Sequence, residues 1–138
     1  MKVPISFVSR NGEKIETKAL IDSGASGIFI SKKLVQEKGI ETHPLQQSLD
    51  VFNMDGTKNK AEVIGKIVEG DLTVINQTRM QEFYITVLEK EQVILGITWL
   101  EQENPDIDWK KQTLNWRKRE RSINIYSIFK DHGLFEKE

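Results

Sequence analysis

The segment Ala19-Leu20-Ile21-Asp22-Ser23-Gly24-Ala25-Ser26 decides the fold, because it places an acidic residue directly after a buried apolar strand. Small residues follow the acid, so the Asp22 carboxylate can lie in a dry cleft and still reach a substrate. The Ser23 hydroxyl can bond a neighbouring backbone group, and Gly24, which has no Cβ, lets another backbone approach closely. Asp, Ser and Gly also favour ordinary turns. On these residues alone, a catalytic loop and a plain turn both stay open.

The composition narrows the chemistry that surrounds this acid. The 138 residues predict one domain, and 38% of them are hydrophobic, which is enough for a core. The net charge of −1 argues against nucleic acid as a main partner and against a polybasic membrane binder. The chain has no cysteine and only His43 and His132, which argues against thiolate nucleophiles, Cys-based zinc sites and a Ser-His-Asp triad. If the protein is an enzyme, carboxylates are its expected reactive groups.

The sequence also bears on location. No apolar run approaches the roughly 18 residues of a membrane span, so we expect no membrane partner. The N-terminal residues lack the anatomy of a signal peptide. The absence of cysteine fits a reducing compartment, and we therefore expect a cytoplasmic location.

Alternation of apolar and polar residues predicts an all-β chain of many short strands, hence a sandwich or a barrel. The predicted strands are 3–8, 14–21, 28–30, 49–52, 61–68, 72–75, 83–88 and 93–96, with a closing hairpin of 107–109 and 114–116. Two short helices are predicted, one from the N-cap Ser31 to Gly39 and one over 97–103, before Asn104-Pro105. Residues 42–44 are predicted as a loop and 69–71 as a turn.

A second set of motifs follows the acidic segment in a fixed order. The motifs are Asp55-Gly56-Thr57, Ile94-Leu95-Gly96, Trp99-Leu100, Asn104-Pro105 and Ile107-Asp108-Trp109. Together with Asp22-Ser23-Gly24-Ala25, they resemble the retropepsin-like aspartic proteases, and most closely those of gypsy-type LTR retrotransposons. The resemblance covers about residues 3–116.

The resemblance implies a closed β-barrel with a flap hairpin, which forms one lobe of a two-fold symmetric homodimer. Each chain would contribute Asp22 as its catalytic residue, with Ser23, Gly24 and Ala25 supporting the loop. The substrate would be an extended peptide segment of a Gag-Pol-type polyprotein, and neither a metal nor another cofactor is implied. The interior of a virus-like particle would be one cytoplasmic location for such a protein.

The same resemblance assigns further residues. An extended peptide would contact Leu20, Ser26, Gly27, Phe29 and Ile94, although plain core packing explains Leu20, Phe29 and Ile94 equally well. The hairpin of residues 51–67 would be the flap. Its tip would be at about residues 53–60, which include Asn53, Met54, Asp55, Gly56 and Thr57. Asp55 is a weaker alternative as a second acid within the chain, because no buried run precedes it.

Two departures from the viral pattern concern the dimer. Where viral members commonly carry an Arg and an Asp that pair, this chain has Ile97 and Ser26. No strand precedes Val3 to join a dimer sheet, so we expect that sheet to use residues 114–116 or 122–129.

A soft boundary near Trp116 divides the chain into a protease-like domain, residues 1–116, and a basic extension, residues 117–138. The extension would serve as a dimer strand or as a linker to the next polyprotein domain. Three functions stay open: a homodimeric aspartic endopeptidase, a catalytically silent dimerisation or peptide-binding module, and a nucleic-acid-binding domain that uses the basic tail.

Overall fold

The computed structural model describes residues 1–52 and 58–117, and for residues 46–52 and 58–63 it describes the backbone alone. Residues 53–57 of the predicted flap tip, and the predicted strand 122–129, therefore lie outside the described residues. In chain order the elements are β1 (Lys2–Ser9), β2 (Lys14–Ile21), β3 (Ile28–Ser31), α1 (Lys32–Lys38), β4 (His43–Phe52), β5 (Lys58–Val74), β6 (Gln77–Thr86), β7 (Val93–Leu95), α2 (Ile97–Glu103), β8 (Asp106–Asp108) and β9 (Thr113–Asn115).

Six of these strands close into a barrel. The order around the barrel is β1-β2-β7-β3-β6-β5, and β5 pairs again with β1. Strand β4 pairs with β5, while β8 and β9 form a separate two-stranded sheet. This architecture confirms the prediction of an all-β closed barrel with two short helices.

The barrel core follows from the alternation along the strands. In β1, Val3, Ile5 and Phe7 point inward, and the Phe7 ring meets Phe83 of β6 edge-on at a centroid distance of 5.0 Å. Helix α2 covers the core with Trp99, the largest fully buried side chain of the described residues. Burial of this kind is the main stabilising contribution to the barrel.

Helix α1 begins and ends as the sequence predicts. The Ser31 hydroxyl accepts a hydrogen bond from the Leu34 amide at 3.3 Å. Gly39 ends the helix in the left-handed conformation, with φ of 62°, where glycine is favoured. Leu34 and Val35 pack against the barrel.

The predicted turn at residues 69–71 is wrong, because β5 runs unbroken through these residues. Gly70 lies where β5 pairs with β1 and β6 at once. A Cβ there would lie 2.1 Å from the Val8 carbonyl oxygen and 2.8 Å from the Phe7 ring. The glycine therefore serves close packing inside a strand and does not mark a turn.

The real turn between β5 and β6 is at Ile75 and Asn76, which both have positive φ, at 44° and 63°. Strand β6 accordingly starts at Gln77, six residues before the predicted strand, and ends at Thr86. The predicted loop at 42–44 is also wrong in part, because β4 starts at His43. Pro44 is tolerated there because β4 pairs with β5 alone among the described strands, and an edge strand can lack one amide donor.

Neither helix of the described residues has the length and apolar character needed to cross a membrane. No group of three or more metal-binding side chains occurs within the described part of the chain.

Candidate active site

Asp22 lies at the end of the barrel where β2 leaves the sheet. Its amide donates to the Leu95 carbonyl at 3.1 Å, which continues the parallel pairing of β2 with β7 by one residue. The preceding Ile21 is buried, whereas Asp22 is half-buried. The strand thus fixes the backbone of the acid while its side chain stays accessible.

The residues after Asp22 form a tight turn around its carboxylate. Asp22 Oδ1 accepts the Gly24 amide at 2.9 Å, and the Ala25 amide donates to the Asp22 carbonyl at 3.1 Å. Among the described contacts it is therefore the carboxylate, and not the Ser23 hydroxyl proposed from the sequence, that bonds the loop backbone. The carboxylate is oriented by its own loop.

Helix α2 holds the far side of the same loop. The Gly96 amide donates to the Gly27 carbonyl at 2.9 Å, and the Ile97 amide donates to the Ala25 carbonyl at 2.7 Å. The Thr98 hydroxyl donates to the Ser26 carbonyl at 2.5 Å. Three consecutive residues at the start of α2 therefore fix three carbonyls of the loop, which we call the Asp22 loop (residues 22–27).

Gly96 is required by this close approach. A Cβ at Gly96 would lie 2.3 Å from the Gly27 carbonyl oxygen and 2.4 Å from that of Ala25. Its φ of −88° is open to any residue, so the reason for glycine is space and not backbone conformation.

Strand β7 lies between β2 and β3 and brings the predicted peptide-contacting residues together. Ile94 pairs with Leu20 on one side and with Phe29 on the other. Residues paired across strands point to the same face, and these three are half-buried on the outer face, whereas their neighbours Ala19 and Val93 are in the core. The structure thus favours a surface row over core packing for Leu20, Ile94 and Phe29.

The other two predicted contact residues differ in exposure. Ser26 is exposed at the edge of the Asp22 loop. Gly27 is buried under the Phe29 ring, which a Cβ at Gly27 would meet at 2.9 Å. Gly27 therefore leaves room for the Phe29 ring.

Sequence reasoning missed Tyr84. It continues the surface row because β6 pairs in parallel with β3 and places Tyr84 beside Phe29, with ring centroids 6.0 Å apart. Parallel pairing of distant strands leaves no local signal in the sequence, so the position of Tyr84 could not be predicted.

The described parts of the chain contain no Lys or Arg that forms an ion pair with Asp22. Among the described contacts, the carboxylate accepts the Gly24 amide.

Comparison with known proteins decides the family. The family model described as the PEG10/RTL1 protease domain matches residues 18–123, which is more than half of the chain. The chain belongs to the PEG10/RTL1 protease-domain family. The family is retropepsin-like and derives from a gypsy-type element, so the resemblance read from the motifs is confirmed.

A solved structure supports the fold of this PEG10/RTL1-type domain. The retroviral protease-like domain of Ddi1 from Leishmania major superimposes with a TM-score of 0.51 at 17% sequence identity, covering 84% of this chain and 85% of that one. The simian foamy virus (mac) protease matches with a TM-score of 0.45 at 11% identity, covering 73% of this chain and 92% of that one. At these identities the first likeness bears on the fold alone.

Proposed function

We propose that the protein is an aspartic endopeptidase that works as a homodimer, with one Asp22 from each copy. The observation that carries the proposal is the Asp22 loop, which holds an accessible carboxylate at the end of a buried strand through backbone bonds on both sides. The membership of a protease-domain family agrees with it.

The proposed mechanism needs two carboxylates in one site. Two acids about 3 Å apart cannot both ionise, so they share one proton. The ionised Asp22 takes a proton from a water molecule held between them, and the other Asp22 protonates the oxygen of the scissile carbonyl. The water oxygen attacks the carbonyl carbon directly, and the resulting tetrahedral adduct loses the amine after that nitrogen is protonated.

The proposed substrate is an extended segment of a Gag-Pol-type polyprotein. Extended peptides bind through main-chain hydrogen bonds, and alternate side chains enter pockets. The half-buried row of Leu20, Ile94 and Phe29 begins two residues before Asp22 in β2 and offers apolar contacts. We therefore expect apolar side chains next to the bond that is cut.

Cleavage of a proteome-derived peptide library at pH 4 to 7 tests the chemistry. Asp22→Asn should lower the rate by at least about 100-fold, because positioned acid–base groups contribute on that order or more. Asp71→Asn is the matched control, since Asp71 is exposed on β5 and takes no part in the Asp22 loop. Pepstatin should inhibit the wild type. Cleavage that survives Asp22→Asn would refute the mechanism.

Mixing subunits tests the dimer. When wild-type and Asp22→Asn chains are mixed in equal amounts and exchange freely, about a quarter of the dimers carry both acids. Activity at constant total protein should therefore follow the square of the wild-type fraction. A linear dependence would show that one chain suffices. Peptide binding without cleavage in the wild type would instead favour the silent peptide-binding module.

A further inference from the structure

Helix α2 is fixed at both ends, by different parts of the chain. Its N-terminal residues hold the Asp22 loop through the bonds of Gly96, Ile97 and Thr98. Its C-terminal end is Asn104, whose left-handed backbone, with φ of 43°, lets its amide donate back to the Leu100 carbonyl at 2.8 Å. The helix has only seven residues, Ile97 to Glu103, so contacts that fix the position of its C-terminal end also fix the position of its N-terminal end.

Two residues that follow β9 hold the C-terminal end. The Arg117 guanidinium donates from Nε to the Asn104 carbonyl at 2.9 Å and from Nη2 to the Pro105 carbonyl at 3.5 Å. The Trp116 indole donates to the Val74 and Ile75 carbonyls, which anchors the segment to the β5–β6 turn. We call Trp116 and Arg117 the C-terminal clamp.

The clamp also packs against α2. The rings of Trp116 and Trp99 meet edge-on at a centroid distance of 6.0 Å, and Trp99 is the core residue of the helix. The contact with Trp99 and the bonds to the Asn104 and Pro105 carbonyls leave the helix little freedom to tilt. Arg117, which the sequence analysis placed at the start of the basic extension, thus has a specific use on the carbonyls that end α2.

We propose that the C-terminal clamp positions the Asp22 loop, because it fixes α2 and thereby the amides of Gly96 and Ile97 that hold the loop carbonyls. Trp116 and Arg117 are positioning residues and do not touch the reacting atoms. The effect on cleavage rests on the proposed function, whereas the effect on the loop does not.

Arg117 offers a way to test the clamp with little damage to the core, since its side chain is exposed and its removal leaves no core cavity. Arg117→Ala removes both donations, and Arg117→Lys keeps the charge and one group of donors. Lys111→Ala is the matched control, because it removes another exposed basic side chain, from the turn between β8 and β9.

Native-state amide hydrogen exchange on the full chain measures the effect on the loop. Arg117→Ala should speed exchange of the Gly96 and Ile97 amides about three- to tenfold, the range expected for the loss of one typical hydrogen bond at an exposed side chain. The Phe83 amide, in the barrel, should change much less. Arg117→Lys should give a smaller increase than Arg117→Ala, and Lys111→Ala should give none.

Unchanged exchange at Gly96 and Ile97 in Arg117→Ala would overturn the proposal, and so would an equal increase at Phe83, which would indicate global destabilisation. Trp116→Phe keeps a ring against Trp99 but loses the indole donor, and it should raise the same two rates less than Arg117→Ala. If the wild type cleaves peptides, Arg117→Ala should lower kcat more than it raises KM. If the wild type does not cleave, the proposed function fails while the exchange pattern still decides on the clamp.

Discussion

Gly96→Ala is the sharpest test of how the Asp22 loop is held. The added methyl group would lie 2.3 Å and 2.4 Å from two carbonyl oxygens of the loop, those of Gly27 and Ala25. An ordinary contact between carbon and oxygen is roughly 1 Å longer, and both obstacles are backbone atoms that no rotamer change can move. Either α2 or the Asp22 loop must shift.

The expected loss of folding stability in Gly96→Ala has two contributions. Overpacking of a tight site costs about 1–3 kcal/mol. The shift also weakens the bonds of Gly96 to Gly27 and of Ile97 to Ala25, each of which contributes about 0.5–1.5 kcal/mol. Replacing glycine by alanine also restricts the unfolded chain, which stabilises the folded state by about 0.4–1 kcal/mol and offsets part of this loss. We therefore expect Gly96→Ala to lower the free energy of unfolding by about 3 kcal/mol.

Urea unfolding followed by tryptophan fluorescence measures this change, since Trp99 is buried in α2. Gly39→Ala is the matched control, because a Cβ at Gly39 would meet no atom within 4 Å and its cost comes from the φ of 62° alone. That cost is about 1–2 kcal/mol. A Gly96→Ala protein that is as stable as the wild type, or more stable than Gly39→Ala, would refute the steric argument.

Three further changes test the fold. Ser31→Ala should lower stability by about 1 kcal/mol, because α1 loses its N-cap acceptor; the midpoint of urea unfolding measures it, and no change would contradict the cap. Ile75→Asn should raise stability by about 1 kcal/mol in thermal unfolding, since Ile75 is strained at φ of 44° and asparagine tolerates that region; a lower Tm would contradict this. Trp99→Ala should lower the free energy of unfolding by about 3–5 kcal/mol, because the Trp99 side chain is only 2% exposed. A loss below about 1 kcal/mol in urea unfolding would show that α2 does not complete the core.

The features that could be predicted from the sequence are those that are determined by residues close together in the chain. Residues Asp22 to Ala25 carry their turn chemistry within four positions, and Ser31 and Gly39 bracket α1 in the same local way. The alternation in β1 and β2 gave both strands to within one residue. In each case the local preference agrees with the tertiary structure.

The predictions were wrong where contacts between distant segments of the chain outweigh a local conformational preference. Gly70 reads as a turn, but its lack of a side chain is needed where Phe7 and Val8 press against β5. Ile75 gives no turn signal, because a β-branched residue disfavours positive φ, and yet it forms the β5–β6 turn. Neither outcome can be read without knowing which strands are neighbours.

The same distinction applies inside the candidate site. A catalytic carboxylate must be held within roughly 0.5 Å of its working position, and a loop of small residues cannot supply that stiffness by itself. In this chain the stiffness comes from residues 96–98, whose amides and hydroxyl bond the carbonyls of Ala25, Ser26 and Gly27. None of these three residues acts as acid, base or nucleophile in the proposed chemistry, and the Thr98 hydroxyl bonds the Ser26 carbonyl. In the proposed dimer they would be as much a part of the site as Asp22 itself, because a loop free to move would place the acid in many positions and the two copies could not hold their carboxylates together.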